Sequence, residues 1–261
     1  MKIAIAQLDL VFEQPMKNKN KVISYVRMAI MKNKPDVIVL PEMWKTSYYP
    51  SNIDECADAD GHETKQFLSE LAKEHDVNII GGSVGNRMKE KFYNTSYSFD
   101  RTGKLIHTYN KVHLYRTSKE QEFFSPGSEM GIFEIDGTKV GLVTGYDLEF
   151  PEWIRKMALE DIKILFVPAA WTYPHLLAWE TLLSARAIEN QIFVVGVNSV
   201  GTTKKLNFCG HSSIINPSGK TIASGRMEEM LIWGNLDLNE ISKSRQSGSI
   251  YIDRRPELYK Q

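Results

Sequence analysis

The stretch from Lys139 to Trp153 has the pattern of a turn that could present an attacking group. Val140 to Thr144 is a short apolar, β-branched run suited to a buried strand. Phe150-Pro151-Glu152 then reads as a helix start, with Pro in the first turn and an acid where the helix dipole favours it. A residue at the sharp bend between such a strand and helix points out of the sheet, and hydrolases place their nucleophile there. The bend position here is Gly145, which has no side chain. Taken alone, the stretch favours the plainer account of a turn glycine, kept for its backbone freedom.

Other residues with chemical potential sit at the ends of predicted strands. Glu42 follows the apolar run Val37–Leu40, at the strand end where ligand sites of α/β sheets gather. It is a candidate acid or base; a solvated loop carboxylate is the alternative. Lys111 follows the strand 105–109 and by itself reads as a surface charge, while His113 reads as a packed or hydrogen-bonded histidine. Glu120 and Glu122 precede the turn Ser125-Pro126-Gly127. Trp171, just past the apolar strand 164–167, is placed at a pocket edge, and Trp179 in the core or a subunit contact. Tyr48 and Tyr146 belong to an aromatic set divided between pocket wall and core. His175 opens a helix near the same edge, either as a helix-start polar group or as a substrate contact. Cys56 and Cys209 have no metal-ligand spacing, and no phosphate-binding or cofactor motif is present, so no cofactor is expected.

The elements that must position these residues follow from periodicity. Strands are predicted at 3–7, 37–40, 77–80, 93–99, 105–109, 131–135, 139–144, 164–167, 193–200 and 212–216, the last turning back through 221–223. Residues 230–236 are expected beside that final hairpin. Helices are predicted at 17–31, 62–75, 153–159 and 175–189, and the polar residues 242–261 as a tail laid over the body or a partner. No linker or composition break divides the chain, which points to one α/β domain over 1–261 with helices outside sheets.

The totals limit the function classes. Lys+Arg and Asp+Glu both number 32, so the zero net charge argues against a nucleic-acid partner. No run approaches a membrane span and the N-terminus lacks a signal-peptide pattern, so a cytoplasmic protein is expected.

Four segments together resemble the nitrilase superfamily of carbon–nitrogen hydrolases: Pro41-Glu42-Met43, Tyr109-Asn110-Lys111-Val112-His113-Leu114, the elbow through Tyr146-Asp147-Leu148-Glu149-Phe150-Pro151-Glu152, and Ala185 to Gln191. The likeness spans nearly the whole chain and is greatest to the ω-amidase and short aliphatic amidase branch. It implies a four-layer αββα sandwich that forms a homodimer, with residues 242–261 near the interface. It implies Glu42 as general base, Lys111 and Glu120 as its partners, the backbone N–H of Tyr146 as an oxyanion donor, and a cysteine nucleophile at the position of Gly145. Tyr48, Trp171 and His175 are then expected to contact a small amide substrate. The chain departs from the family at two places. Gly145 removes the thiol, which implies an inactive variant of an amidase or a pseudoenzyme that binds without turnover. Glu149 stands where many relatives carry Arg.

Overall fold

Neighbouring positions of each central strand face two different cores, and this generates the layers. In strand Lys2–Gln7, Ile3 and Ile5 share a core with Val140, Ile164 and Phe193, whereas Ala4 and Ala6 share another with Val22 and Val26 of helix Pro15–Asn33. Strand Val37–Val39 repeats the division: Val37 and Val39 join the first core and Ile38 the second. In strand Ile164–Ala169, Ile164 and Phe166 face the first core. Leu165 and Val167 face a third, with Met157 of helix Pro151–Leu159 and Leu183 of helix Leu176–Asn190. Side chains alternate across a strand, so a strand buried on both faces must be apolar at nearly every position. The computed structural model describes residues 1–204 and 206–259, and over these the chain is an αββα sandwich.

The first sheet runs in the order Met230–Asn235, Lys2–Gln7, Val37–Val39, Asn78–Ile80, Lys91–Phe99, Val84–Met88, Asp58–Ala59, with Leu105–Asn110 also paired to Lys91–Phe99. The second runs Thr221–Ser224, Ser213–Ile215, Phe193–Asn198, Ile164–Ala169, Thr138–Leu142, Gly131–Ile135. Residues 230–236 are a correction to the sequence reading. They do not join the hairpin before them; strand Met230–Asn235 crosses to the other sheet and lies antiparallel to Lys2–Gln7, with Trp233 opposite Ala4. Leu231 and Ile232 enter two different cores, a pattern that either sheet edge could have satisfied.

The predicted strand 139–144 stops at Leu142, although the Val143 N–H still donates to Phe166 O at 3.1 Å. The chain then bends at Gly145, with φ +48°, into a 3-10 turn over Gly145–Glu149 before helix Pro151–Leu159. The tail contains helices Asn239–Ser247 and Ile250–Asp253. Gln191 Nε2 donates to Gly248 O at 2.9 Å, and Arg245 pairs with Asp161 at 3.0 Å, so this part lies on its own body. Residues 260–261 of the expected tail lie outside the described residues. Among the described residues no helix is long and apolar enough to cross a membrane.

Candidate active site

Glu42, Lys111 and Glu120 converge from three segments. Glu42 leaves the end of strand Val37–Val39 on a loop anchored by a neighbouring turn: Met43 N donates to Ser83 Oγ at 3.0 Å and Trp44 Nε1 to Gly81 O at 2.9 Å. Gly82, at φ +59°, has no room for a Cβ against Pro41 O, so this close approach needs glycine. Lys111 follows strand Leu105–Asn110, and its N–H donates to Asn94 O at 2.9 Å. Glu120 opens the 3-10 turn Glu120–Glu122.

The side chains form one buried network. Lys111 Nζ donates to Glu42 Oε1 and to Glu120 Oε2, both at 2.9 Å. Asn94 Nδ2 donates to Glu42 Oε1 at 2.8 Å and to Glu120 Oε1 at 3.3 Å. The Ala170 N–H donates to Glu42 Oε2 at 3.0 Å, and the Tyr115 N–H to Glu120 Oε2 at 2.8 Å. Glu122, the other candidate in its turn, is exposed and pairs with Lys119 instead. Burial lifts the Glu42 carboxyl above the usual carboxylate range; Lys111 opposes this shift and Glu120 adds to it. For Lys111 burial works against the charge, but Glu120 and Glu42 outweigh it and raise the ammonium above its ordinary value.

Gly145 lies directly against this network. A Cβ built on it would clash with Glu42 Oε2 and lie 3.1 Å from Glu42 Cδ. The bend is held by Asp147, which is fully buried. Its Oδ2 accepts from the Thr144 N–H at 3.0 Å and from Tyr109 OH at 2.7 Å, and its Oδ1 accepts from the His113 N–H at 2.8 Å. His113 Nδ1 also lies 2.8 Å from Asp147 Oδ1, and its ring stacks on Phe150 with centroids 3.7 Å apart. One carboxylate thus ties the bend to the segment that carries Lys111.

A cavity of about 190 Å³ opens over Glu42, Lys111 and Gly145. Tyr48, Tyr146, Trp171 and His175 line it, so all three side chains expected to contact substrate are at the cavity. His175 is also the residue that precedes helix Leu176–Asn190, so both of its sequence readings describe its position. Trp179 is buried in the helix-side core and Cys209 is buried beside Asn198. Among the described residues no group of His, Cys, Asp and Glu is placed to hold a metal ion.

Sequence reasoning missed Asn94, Asp147, Tyr49 and Tyr115. Asp147 had a signal, since an acid three residues after Thr144 matches a capping box. Asn94 had a weaker one: a polar residue at the start of the fully buried half of strand Lys91–Phe99, where a partner is required. The two tyrosines had none, because loop aromatics carry no periodicity.

Comparisons with known proteins bear on the family and the fold. The family profile described as carbon-nitrogen hydrolase matches residues 2–246. The 2-oxoglutaramate amidase of Bacillus subtilis (strain 168) is 40% identical over 257 residues, covering 98% of each chain. The omega-amidase of Homo sapiens is 30% identical over 251 residues, covering 93% of this chain and 91% of that one. A crystal structure of a Saccharomyces cerevisiae member of the nitrilase superfamily superposes with a TM-score of 0.88 at 27% identity, covering 96% of this chain and 94% of that one.

Proposed function

The chain belongs to the carbon–nitrogen hydrolase family, and on that premise we propose that its cavity is the site of an amidase for small linear amides, now lacking its nucleophile. The observation that carries this reading is the contact of Glu42 with the place a side chain on Gly145 would take, with Lys111 bonded to the same carboxylate. A base, an ammonium and a vacant elbow within one small cavity suit acyl transfer.

The chemistry runs as follows with cysteine at 145. Glu42 takes the thiol proton, and the thiolate attacks the amide carbon to form a tetrahedral intermediate. Its oxyanion faces Lys111 Nζ and the Tyr146 backbone N–H. Glu42 returns the proton to nitrogen, ammonia leaves, and a thioester remains. Glu42 then deprotonates water, which attacks the thioester and releases the carboxylate and the thiol. A carboxyl shifted upward by burial suits this alternation, because a base is most useful with a pKa near working pH. Glu120 does not reach the reacting atoms in this scheme. It keeps Lys111 charged and aimed.

Gly145 supplies no sulfur, so the covalent route is closed. Loss of a nucleophile from such a set lowers kcat by roughly a million-fold. Gly145→Cys in the same chain is expected to restore ammonia release from short neutral amides. A side chain there must accept a left-handed φ of +48° and displace Glu42 Oε2, the free end of a flexible side chain. That backbone cost is on the order of 1–2 kcal/mol. No ammonia from any short amide, with the variant folded, would reject the amidase reading. Gly145 itself favours a second reading, a protein that binds a small amide or acid without turnover; ligand binding equal in both forms, with no turnover in either, is its signature. The same family reading includes a cytoplasmic homodimer paired through outer helices. Leu177 and Ile188, 77% and 53% exposed on helix Leu176–Asn190, support that pairing.

A further inference from the structure

The charge inventory of the cavity is lopsided. Lys111 is its only lysine among the described lining residues, and none of them is an arginine. That ammonium is already committed to Glu42 and Glu120 at 2.9 Å each. Glu149 lines the same cavity, is exposed, and has no hydrogen-bond or ion-pair partner among the described residues. It sits at the end of the 3-10 turn that begins with Gly145, so a ligand with its amide at the elbow can reach it with its far end. Tyr48, Tyr115, Tyr146 and Trp171 form the walls between. Tyr115 and Tyr146 pack with ring centroids 4.8 Å apart. Aromatic faces and a free carboxylate both attract a cation, through the ring quadrupole and through charge. A carboxylate at the same place would meet Glu149 with no lysine or arginine among the described lining residues left unpaired to offset the repulsion, His175 being the one other lining side chain able to take up a positive charge.

We propose that Glu149 and the aromatic walls make this pocket select short linear amides whose far end carries a protonated amine, and disfavour those ending in a carboxylate. The proposal deepens the amidase reading and rests on it for the placement of the amide. Glu149 acts in it as a specificity residue that touches the far end of the ligand and takes no part in bond breaking.

Three amides with the same three-methylene spacer test it: γ-aminobutyramide, valeramide and glutaramate, which end in ammonium, methyl and carboxylate. Calorimetric titration of the chain with Gly145 in place measures charge preference without turnover. γ-Aminobutyramide is expected to bind about three- to tenfold more tightly than valeramide, from an exposed ion pair plus aromatic contact, with glutaramate weakest. Glu149→Gln is expected to reduce that preference roughly three- to fivefold. Glu149→Arg is expected to place glutaramate ahead of γ-aminobutyramide. Equal affinity for the three amides, no binding of γ-aminobutyramide, or a ranking that Glu149→Gln leaves unchanged overturns the proposal. Ammonia release by the Gly145→Cys chain is the separate arm. Ranked binding without ammonia from any of the three removes the amidase reading and keeps the charge preference, whereas ammonia released without ranking does the reverse.

Discussion

At the floor of the cavity Glu42, Lys111 and Glu120 are 3%, 2% and 0% exposed, and each makes at least two polar contacts. At its mouth Glu149 and His175 are exposed, and Glu149 has no partner among the described residues. Glu149 lies four positions after Gly145, yet the two ends of that turn answer to different constraints. Buried charges must be paired or they are expelled as neutral forms, so the floor tolerates little change. An exposed carboxylate is solvated either way, so the mouth can change sign without harm to the fold. A single missing side chain at the floor therefore closes the covalent route, while a charge at the mouth only chooses among ligands.

Substitutions can break that contrast, starting with the largest effect. In the Gly145→Cys chain, Glu42→Gln is expected to lower kcat by about 10²–10⁴, the usual share of a general base, in a steady-state ammonia assay. The same assay across pH has a fixed sign. The base acts as carboxylate and burial raises its pKa, so the rate rises with pH through a midpoint above that of an ordinary glutamate. A midpoint at or below the ordinary value would place Glu42 outside the chemistry. Lys111→Met is expected to destabilise the fold by about 3–5 kcal/mol, because two buried carboxylates lose their common counter-ion. Denaturant unfolding reads that loss, and a change under 1 kcal/mol would mean the cluster is wetter than its geometry. Glu149→Gln is expected to alter stability by less than about 0.5 kcal/mol in the same measurement. A larger loss would show that the mouth is structurally coupled to the floor.

Much of the fold was legible because strands buried on both faces leave little choice of residue type: the runs at 3–6, 37–40, 164–167 and 193–197 carry no polar side chain, and all belong to central strands. Residues 230–235 were misread because alternation states that a strand is buried without naming its neighbour. Glu42 and Lys111 were legible only as members of a resemblance. Alone, each was as consistent with solvent as with a buried cluster. Asn94 and Asp147 were passed over because their roles are relational. Asn94 bridges two carboxylates that lie 52 and 26 residues away, and Asp147 joins the bend to a segment 34 residues away.

The amino-acid order by itself determined the double burial of the central strands, the helix start at Pro151, and the fact that no thiol stands at the bend. Each is a property of residue type and spacing. Only the tertiary structure decided that Glu42 leans against Gly145, that Asn94 bridges Glu42 and Glu120, and that Glu149 is left facing the cavity unpaired among the described residues. These depend on how two sheets stack and where three loops meet, and electrostatic energy depends on distances in space that spacing along a chain does not contain.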